Sequence, residues 1–293
     1  MISRRSFIQS ASIISTASLL DRSYLFSRPE LIGLQLYTVR DAMQKDPAAT
    51  LARVAQIGYN IVEGSGSGND GKFYGLDPAS FANLLKQNGL FMMSAHYHLG
   101  IERSNGEIMN RTLLHNWQMA IDDAAIVGLK YMVCGSLSSS ERGGADRYHY
   151  IADELNVAGE KCKKSGIQLC YHNHDFEFEK LGDKTPYEIL LETDANLVKM
   201  EMDIYWVSKA NIDPLLLIEE HPGRFPLWHV KDMDNSSGHK FTEVGSGIIN
   251  FKKIFRHAKR AGLQYFFVEQ DQTNGSPFDS IAKSISYIKK NIE

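Results

Sequence analysis

The sequence predicts a single-domain (β/α)₈ barrel, on three observations. A short apolar run recurs along the chain, usually after a helical stretch that ends in glycine. Eight such runs can be counted, and nearly every one closes on a polar, proton-transferring or metal-ligating side chain. Runs apolar on both faces suit parallel strands covered by helices, and glycine after a helix takes the left-handed conformation that stops it.

The first run is Ile32 to Tyr37. Gly58 precedes Tyr59 to Glu63, Gly89 precedes Leu90 to His96, and Gly128 precedes the run to Cys134. Gly166 precedes Ile167 to His174, and Gly262 precedes Leu263 to Glu269. Two further runs, Leu197 to Asp203 and Phe225 to Lys231, lack the glycine. With approximate starts at Leu31, Asn60, Leu90, Lys130, Ile167, Val198, Pro226 and Gln264, the spacing is roughly 28 to 40 residues, about what one strand-plus-helix unit needs. A doubly wound open sheet would normally carry a glycine-rich phosphate loop after its first strand; here Thr38-Val39-Arg40-Asp41 follows instead. Gly64-Ser65-Gly66-Ser67-Gly68 follows the second strand and reads as a flexible loop over the site.

The 293 residues carry 32 basic and 35 acidic side chains, a net charge of −3, with 43% hydrophobic residues. That is the composition of a globular protein with a sizeable core. It offers no basic excess for neutralising phosphates, so a nucleic-acid partner is not expected. Cys134, Cys162 and Cys170 are too few and odd in number for a disulfide framework and read as buried free thiols. No stretch approaches the ~20 apolar residues of a membrane span.

Active sites of such barrels lie at the C-terminal ends of the strands. The polar residues expected there are Gln35 and Tyr37, Glu63, His96 and His98, His172 and His174, Asp203, His229 with Lys231, and Glu269. Two His, one Asp and one Glu at successive strand ends suit Mn, Zn, Co or Fe better than calcium. Each has a plainer alternative: a lone His can bond a loop carbonyl, Asp203 can cap a helix, Glu63 can pair on the surface, and Lys231 can pair with Asp203 or Asp232. Lys231 follows His229 by two and so shares its face of the strand. Of the aromatics, Trp206, three residues after Asp203, is the best placed for substrate contact.

The N-terminus, Ser3-Arg4-Arg5-Ser6-Phe7 before a mildly apolar run from Ser10 to Leu20, resembles a twin-arginine export signal. The resemblance implies a signal and linker over 1–28, a catalytic barrel over 29–293, and an exported, periplasmic protein.

From about residue 30 to 290 the chain resembles the xylose-isomerase-like barrel superfamily, the sugar phosphate isomerases and epimerases. The resemblance rests on Gly33-Leu34-Gln35-Leu36-Tyr37-Thr38-Val39-Arg40-Asp41, Ser94-Ala95-His96, Tyr171-His172-Asn173-His174-Asp175, Glu201-Met202-Asp203, Trp228-His229-Val230-Lys231-Asp232, Val244 to Phe251, and Val268-Glu269. It implies one divalent metal (Mn, Zn, Co or Fe) on His172, Asp203, His229 and Glu269, with His172 where the family's ketose epimerases hold a Glu. A symmetric two-glutamate proton shuttle is then unavailable. Glu269 remains as acid/base, with the second group to be found among His174, Glu177, Glu63 and Lys231; the catalytic assignment is Glu269, His174 and Lys231. Gln35, Tyr37, Glu63, His96, His98, Glu177 and Trp206 are assigned to a carbohydrate substrate.

The implied function is a metal-dependent sugar isomerase or epimerase working through an enediolate. The alternatives are a lyase or dehydratase on 3-keto-glycosides at the same metal site, and a non-catalytic sugar-binding barrel. A three-metal nuclease, as in the apurinic endonuclease branch, would need more ligands and a basic groove. Superfamily habit implies a homo-oligomer.

Overall fold

The computed structural model describes residues 31–100 and 109–292. The twin-arginine segment and the start of the predicted barrel domain at 29 lie outside those residues.

Eight parallel strands close into a barrel: β1 (Gly33–Gln35), β2 (Ile61–Ser65), β3 (Phe91–His98), β4 (Tyr131–Ser136), β5 (Gln168–His172), β6 (Val198–Asp203), β7 (Leu227–Val230) and β10 (Tyr265–Val268). Between β7 and β10 two short strands, β8 (Asp232–Met233) and β9 (Phe241–Thr242), pair antiparallel outside the barrel wall. The outer layer consists of α1 (Arg40–Lys45), α2 (Pro47–Ile57), α3 (Pro78–Gln87), α4 (Trp117–Val127), α5 (Ala145–Lys164), α6 (Pro186–Leu191), α7 (Ile204–Lys209), α8 (Pro214–Glu220), α9 (Phe251–Phe255), α10 (Ala258–Ala261) and α11 (Pro277–Asn291). The expected strand starts fall within two residues of the observed ones. Gly58 and Gly128 close α2 and α4 with φ of 111° and 93°, the left-handed geometry their place in the sequence predicts. The three cysteines are buried free thiols, and no helix among the described residues is long and apolar enough to cross a membrane.

The larger core lies between strands and helices, and a second, smaller cluster fills the barrel interior: Ile61, Val133, Cys170, Leu227 and Phe267. Side chains on a strand return to the same face every second residue. Two positions beyond each member of that interior cluster stand Glu63, Gly135, His172, His229 and Glu269. The barrel therefore has an apolar floor with a polar layer directly above it. β1 supplies Gln35 to that layer through Gly33, where a Cβ would sit 2.5 Å from the Phe267 ring.

Candidate active site

Strand register brings the polar residues together. Gln35 pairs with Glu63, His172 with Glu201, and Asp203 with His229 on adjacent strands. Glu63 is fully buried beneath His96 and His229: its Oε1 lies 3.1 Å from His96 Nε2 and 2.5 Å from His229 Nε2. Gln35 Nε2 donates to the same oxygen at 2.8 Å, and Ser94 Oγ donates to Oε2. The surface ion pair considered for Glu63 is thus replaced by a place at the centre of the barrel.

Glu201, two residues before Asp203 and on the same face of β6, was not among the expected ligands. Its Oε2 lies 2.7 Å from His96 Nε2, 2.9 Å from His172 Nδ1 and 3.4 Å from His229 Nε2, while its buried Oε1 has no hydrogen-bond partner among the described residues. His96, His172, Glu201 and His229 form one group of ligand atoms mutually close enough to hold a metal ion; Asp203, His229 and Glu269 form another. The expected tetrad of His172, Asp203, His229 and Glu269 is divided between these two groups, with His229 common to both. Gly135 makes the room that His96 occupies, since a Cβ there would fall 2.6 Å from His96 Nδ1.

Asp203 does two things at once. Its Oδ1 accepts from the Tyr205 and Trp206 N–H groups at 3.0 and 3.2 Å, capping α7, and its Oδ2 lies 2.9 Å from Lys231 Nζ. The Lys231 ammonium also meets Glu269 Oε2 at 2.7 Å and Asp271 Oδ1 at 3.0 Å. Asp232 is not a partner of Lys231: it accepts from the N–H groups of Met233, Gly245, Gly247 and Ile249 at 2.9 to 3.2 Å and ties down the loop before α9.

Charges in this layer are strongly coupled. Burial opposes charging His96, but Glu63 and Glu201 outweigh it and push the imidazole up to about 10. His229 rises well above its ordinary value, burial again being outweighed by Glu201, Glu269 and Glu63. His172 moves well below its ordinary range, through burial and then the neighbouring His229 and His96. It is therefore neutral, with a lone pair to offer. Burial raises Glu201 and Asp203, whereas Lys231 and His229 overcome burial and hold Glu269 well below the carboxylate range. Carboxylates (Glu63, Glu201, Asp203, Glu269, Asp271) outnumber the one ammonium in this layer, a crowding of acidic groups that a divalent cation would relieve, and mixed imidazole and carboxylate donors suit the transition metals. The residues present fit a metal.

Above this layer opens a cavity of about 690 Å³ lined by Gln35, Tyr37, His96, His98, His172, His174, Lys231, Glu269 and Asp271, with residues 64–69 and 109–112 at its lip. Gly64 and Gly66 belong to a packed lip rather than a flexible loop. Gly66 N–H donates to the His96 carbonyl at 2.9 Å, and a Cβ on it would fall 2.2 Å from the Tyr97 ring. Three assigned substrate contacts lie elsewhere, the first being Glu63, buried beneath His96 and His229. Glu177 is fully buried, accepting from Tyr171 Oη at 2.7 Å and from the His174 N–H at 2.8 Å. Trp206 stands behind the lining, its ring centroid 5.5 Å from His174 and 5.7 Å from Lys231 Nζ. Asp271, which sequence reasoning missed, does line the cavity; only its place two residues after Glu269 signals it.

The barrel fold agrees with comparisons to known proteins. The xylose isomerase-like TIM barrel family matches residues 51–291. An inosose dehydratase of Geobacillus thermodenitrificans is 27% identical over 167 residues, covering 50% of this chain and 55% of that protein; the chain spans about half the length of that curated relative. The crystal structure of a sugar phosphate isomerase/epimerase from Parabacteroides distasonis is 27% identical, with a TM-score of 0.74 over 89% of this chain and 96% of that one. The IOLI protein, crystallised with a zinc atom, shares the fold at 12% identity, with a TM-score of 0.68 over 88% of this chain and 97% of that one.

Proposed function

The chain belongs to the xylose isomerase-like TIM barrel family, and from that premise and the asymmetry of its cavity we propose a metal-assisted lyase acting on a small polyhydroxylated carbonyl compound, a keto-sugar or keto-cyclitol. The carrying observation is the division of the cavity walls. Glu63, Glu201 and Asp203 are fully buried, so among the described residues the carboxylates that reach the cavity are Glu269 and Asp271, both at the end of β10 and both bonded to Lys231. The β3 and β5 side presents the imidazoles of His96, His98, His172 and His174. Epimerisation by two opposed carboxylates finds no such pair among the described residues, whereas elimination needs one base and one acid on neighbouring atoms.

A divalent metal held by the imidazole and carboxylate ligands around His229 would supply Lewis acidity at the substrate carbonyl. Glu269, held ionised by Lys231 and His229, takes the proton from the carbon beside that carbonyl. The C–H electron pair becomes the carbon–carbon double bond, and the C–O bond at the next carbon breaks. Asp271, raised to about 6 by burial and then by Glu269, gives its proton to the departing oxygen. Lys231 keeps Glu269 and Asp271 on one side of the substrate and polarises a substrate oxygen that approaches them. His174, lowered to about 3 by burial and then Lys231, stays neutral where it lines the cavity.

An isomerase outcome shares the first proton transfer and differs only in returning the proton to carbon. The relative named inosose dehydratase favours elimination. Export through residues 1–28 would present the enzyme with free sugars and glycosides rather than sugar phosphates. The test is incubation of the metal-loaded protein with keto-cyclitols and 3-keto-glycosides in D₂O. The expected result is ultraviolet absorbance from a conjugated enone with deuterium exchange at the α-carbon. Deuterium exchange with no released water or alcohol would reassign the protein as an isomerase.

A further inference from the structure

We propose that the outer face of residues 248–260 docks on anionic lipid headgroups, with Ile248 as the side chain that enters the bilayer interface. Between Glu243 and Glu269 the chain carries Lys252, Lys253, Arg256, Lys259 and Arg260 and no carboxylate, although acidic side chains outnumber basic ones by 35 to 32 overall. Residues three and four apart share a face of a helix. Along α9 and α10 that spacing sends Phe251, Ile254, Ala258 and Ala261 into the core and leaves all five cations exposed. Arg260 lies 3.4 Å from Glu219 in an exposed pair, and the other four cations form no ion pair among the described residues. A solvated face ordinarily mixes its charges, as α5 does with Asp153, Glu154 and Glu160 beside Lys161, Lys163 and Lys164. This one does not.

Ile248 gives the basic stripe an apolar point. It is 50% exposed, and the loop that presents it is tied on both sides. The Gly247 and Ile249 N–H groups donate to the Asp232 carboxylate at 3.0 and 3.2 Å, and the Ile248 N–H donates to the Met233 carbonyl at 2.9 Å. A branched apolar side chain held outward beside a row of cations matches a bilayer surface: headgroup phosphates meet the ammonium and guanidinium groups, and the acyl boundary takes the isoleucine. A nucleic acid would offer the same phosphates but no apolar layer for Ile248. Its bases would also need open aromatic faces, and Phe255, the half-buried aromatic of the stripe, is packed edge-on with Trp228 and Phe266. None of these side chains lines the cavity, so the surface is separate from the chemistry proposed above.

The experiment is co-sedimentation of the full chain with vesicles of phosphatidylcholine alone and of phosphatidylcholine mixed with phosphatidylglycerol, at low and high salt. Wild type is expected to bind the mixed vesicles, to bind the neutral ones at least about tenfold less tightly, and to be released from the mixed ones as salt screens the charges. Each cation near an anionic surface strengthens binding about fivefold. The triple variant Lys252→Glu, Lys253→Glu, Arg256→Glu should therefore lose about a hundredfold or more, with circular dichroism confirming that it is folded. Ile248→Ser should weaken binding to the mixed vesicles several-fold and keep the salt dependence. Residues 1–28 are common to every variant, so differences between variants report this face alone. The proposal is overturned if the triple variant binds mixed vesicles as tightly as wild type, or if wild type binds both vesicle types equally or neither. Unchanged binding by Ile248→Ser would overturn the insertion of that side chain. Tighter binding of wild type to an oligonucleotide than to mixed vesicles of equal phosphate concentration would overturn the lipid assignment.

Discussion

His229 Nε2 lies 2.5 Å from Glu63 Oε1, across 166 positions of sequence and from one side of the barrel to the other. With His229 Nδ1 2.7 Å from Glu269 Oε2, this one imidazole links β2 to β10 and joins the two candidate ligand groups. The reaction proposed above depends on that link, because it sets the charge and orientation of Glu269.

Removing Glu63 should therefore cost stability as well as function. Glu63→Ala would strand two charged imidazoles, Gln35 and Ser94 in a buried setting, and breaking a buried charge pair costs about 3–5 kcal/mol. Urea denaturation of the metal-free protein should show a loss of that order; a change under about 1 kcal/mol would mean the His96 and His229 charges are not held by Glu63.

Glu269→Gln is expected to lower the rate of α-proton exchange by about 10²–10⁴-fold, the usual contribution of a positioned base. Substrate binding, followed by quenching of Trp206 fluorescence, should change far less. An exchange rate within a few-fold of wild type would move the base to another residue.

Gly135→Ala tests the positioning of His96 without altering a ligand. The added methyl would lie 2.6 to 2.8 Å from His96 ring and Cβ atoms, so the ring must shift. Metal affinity should fall about 10–100-fold, as when supporting contacts of a ligand are lost. Unchanged affinity on titration would place His96 outside the metal site.

Glu177 gives the fold a pH dependence. Burial pushes its carboxyl up to about 7, against 4.5 for the ordinary group. The folded state binds that proton more tightly, so the contribution to stability is full below the unfolded value and is lost as pH rises through about 7. Glu177→Gln keeps a partner for Tyr171 Oη and for the His174 N–H. The variant should gain about 1–3 kcal/mol relative to wild type between pH 4.5 and pH 8. Denaturation curves at the two ends check this, and an equal difference at both would refute it.

The strands were legible because parallel barrel strands are apolar on both faces and glycine marks where helices end. Polar residues at their ends stood out against that background, which is why Gln35, His96, His172, His229 and Glu269 were found. Glu201 was hidden by its neighbours: between Met200 and Met202 it reads as part of an apolar run, although its distance of two from Asp203 places both on the interior face. Glu177 misled for the opposite reason, since the 3₁₀ turn Phe176–Phe178 directs its carboxylate back to Tyr171 and away from the cavity. The β8–β9 hairpin has two-residue strands, too short to leave a period. The division of the metal-type ligands into two groups depends on where Lys231 Nζ ends up, and a spacing of two from His229 gives its face but not its three carboxylate partners.

The most direct test compares metal-loaded and metal-stripped protein on one keto-cyclitol or 3-keto-glycoside in D₂O, following deuterium at the α-carbon and enone absorbance together. The account predicts both signals with the loaded protein, their loss on stripping and their return on reloading. Equal turnover by the stripped protein, or neither signal from a protein that holds its metal, would contradict it.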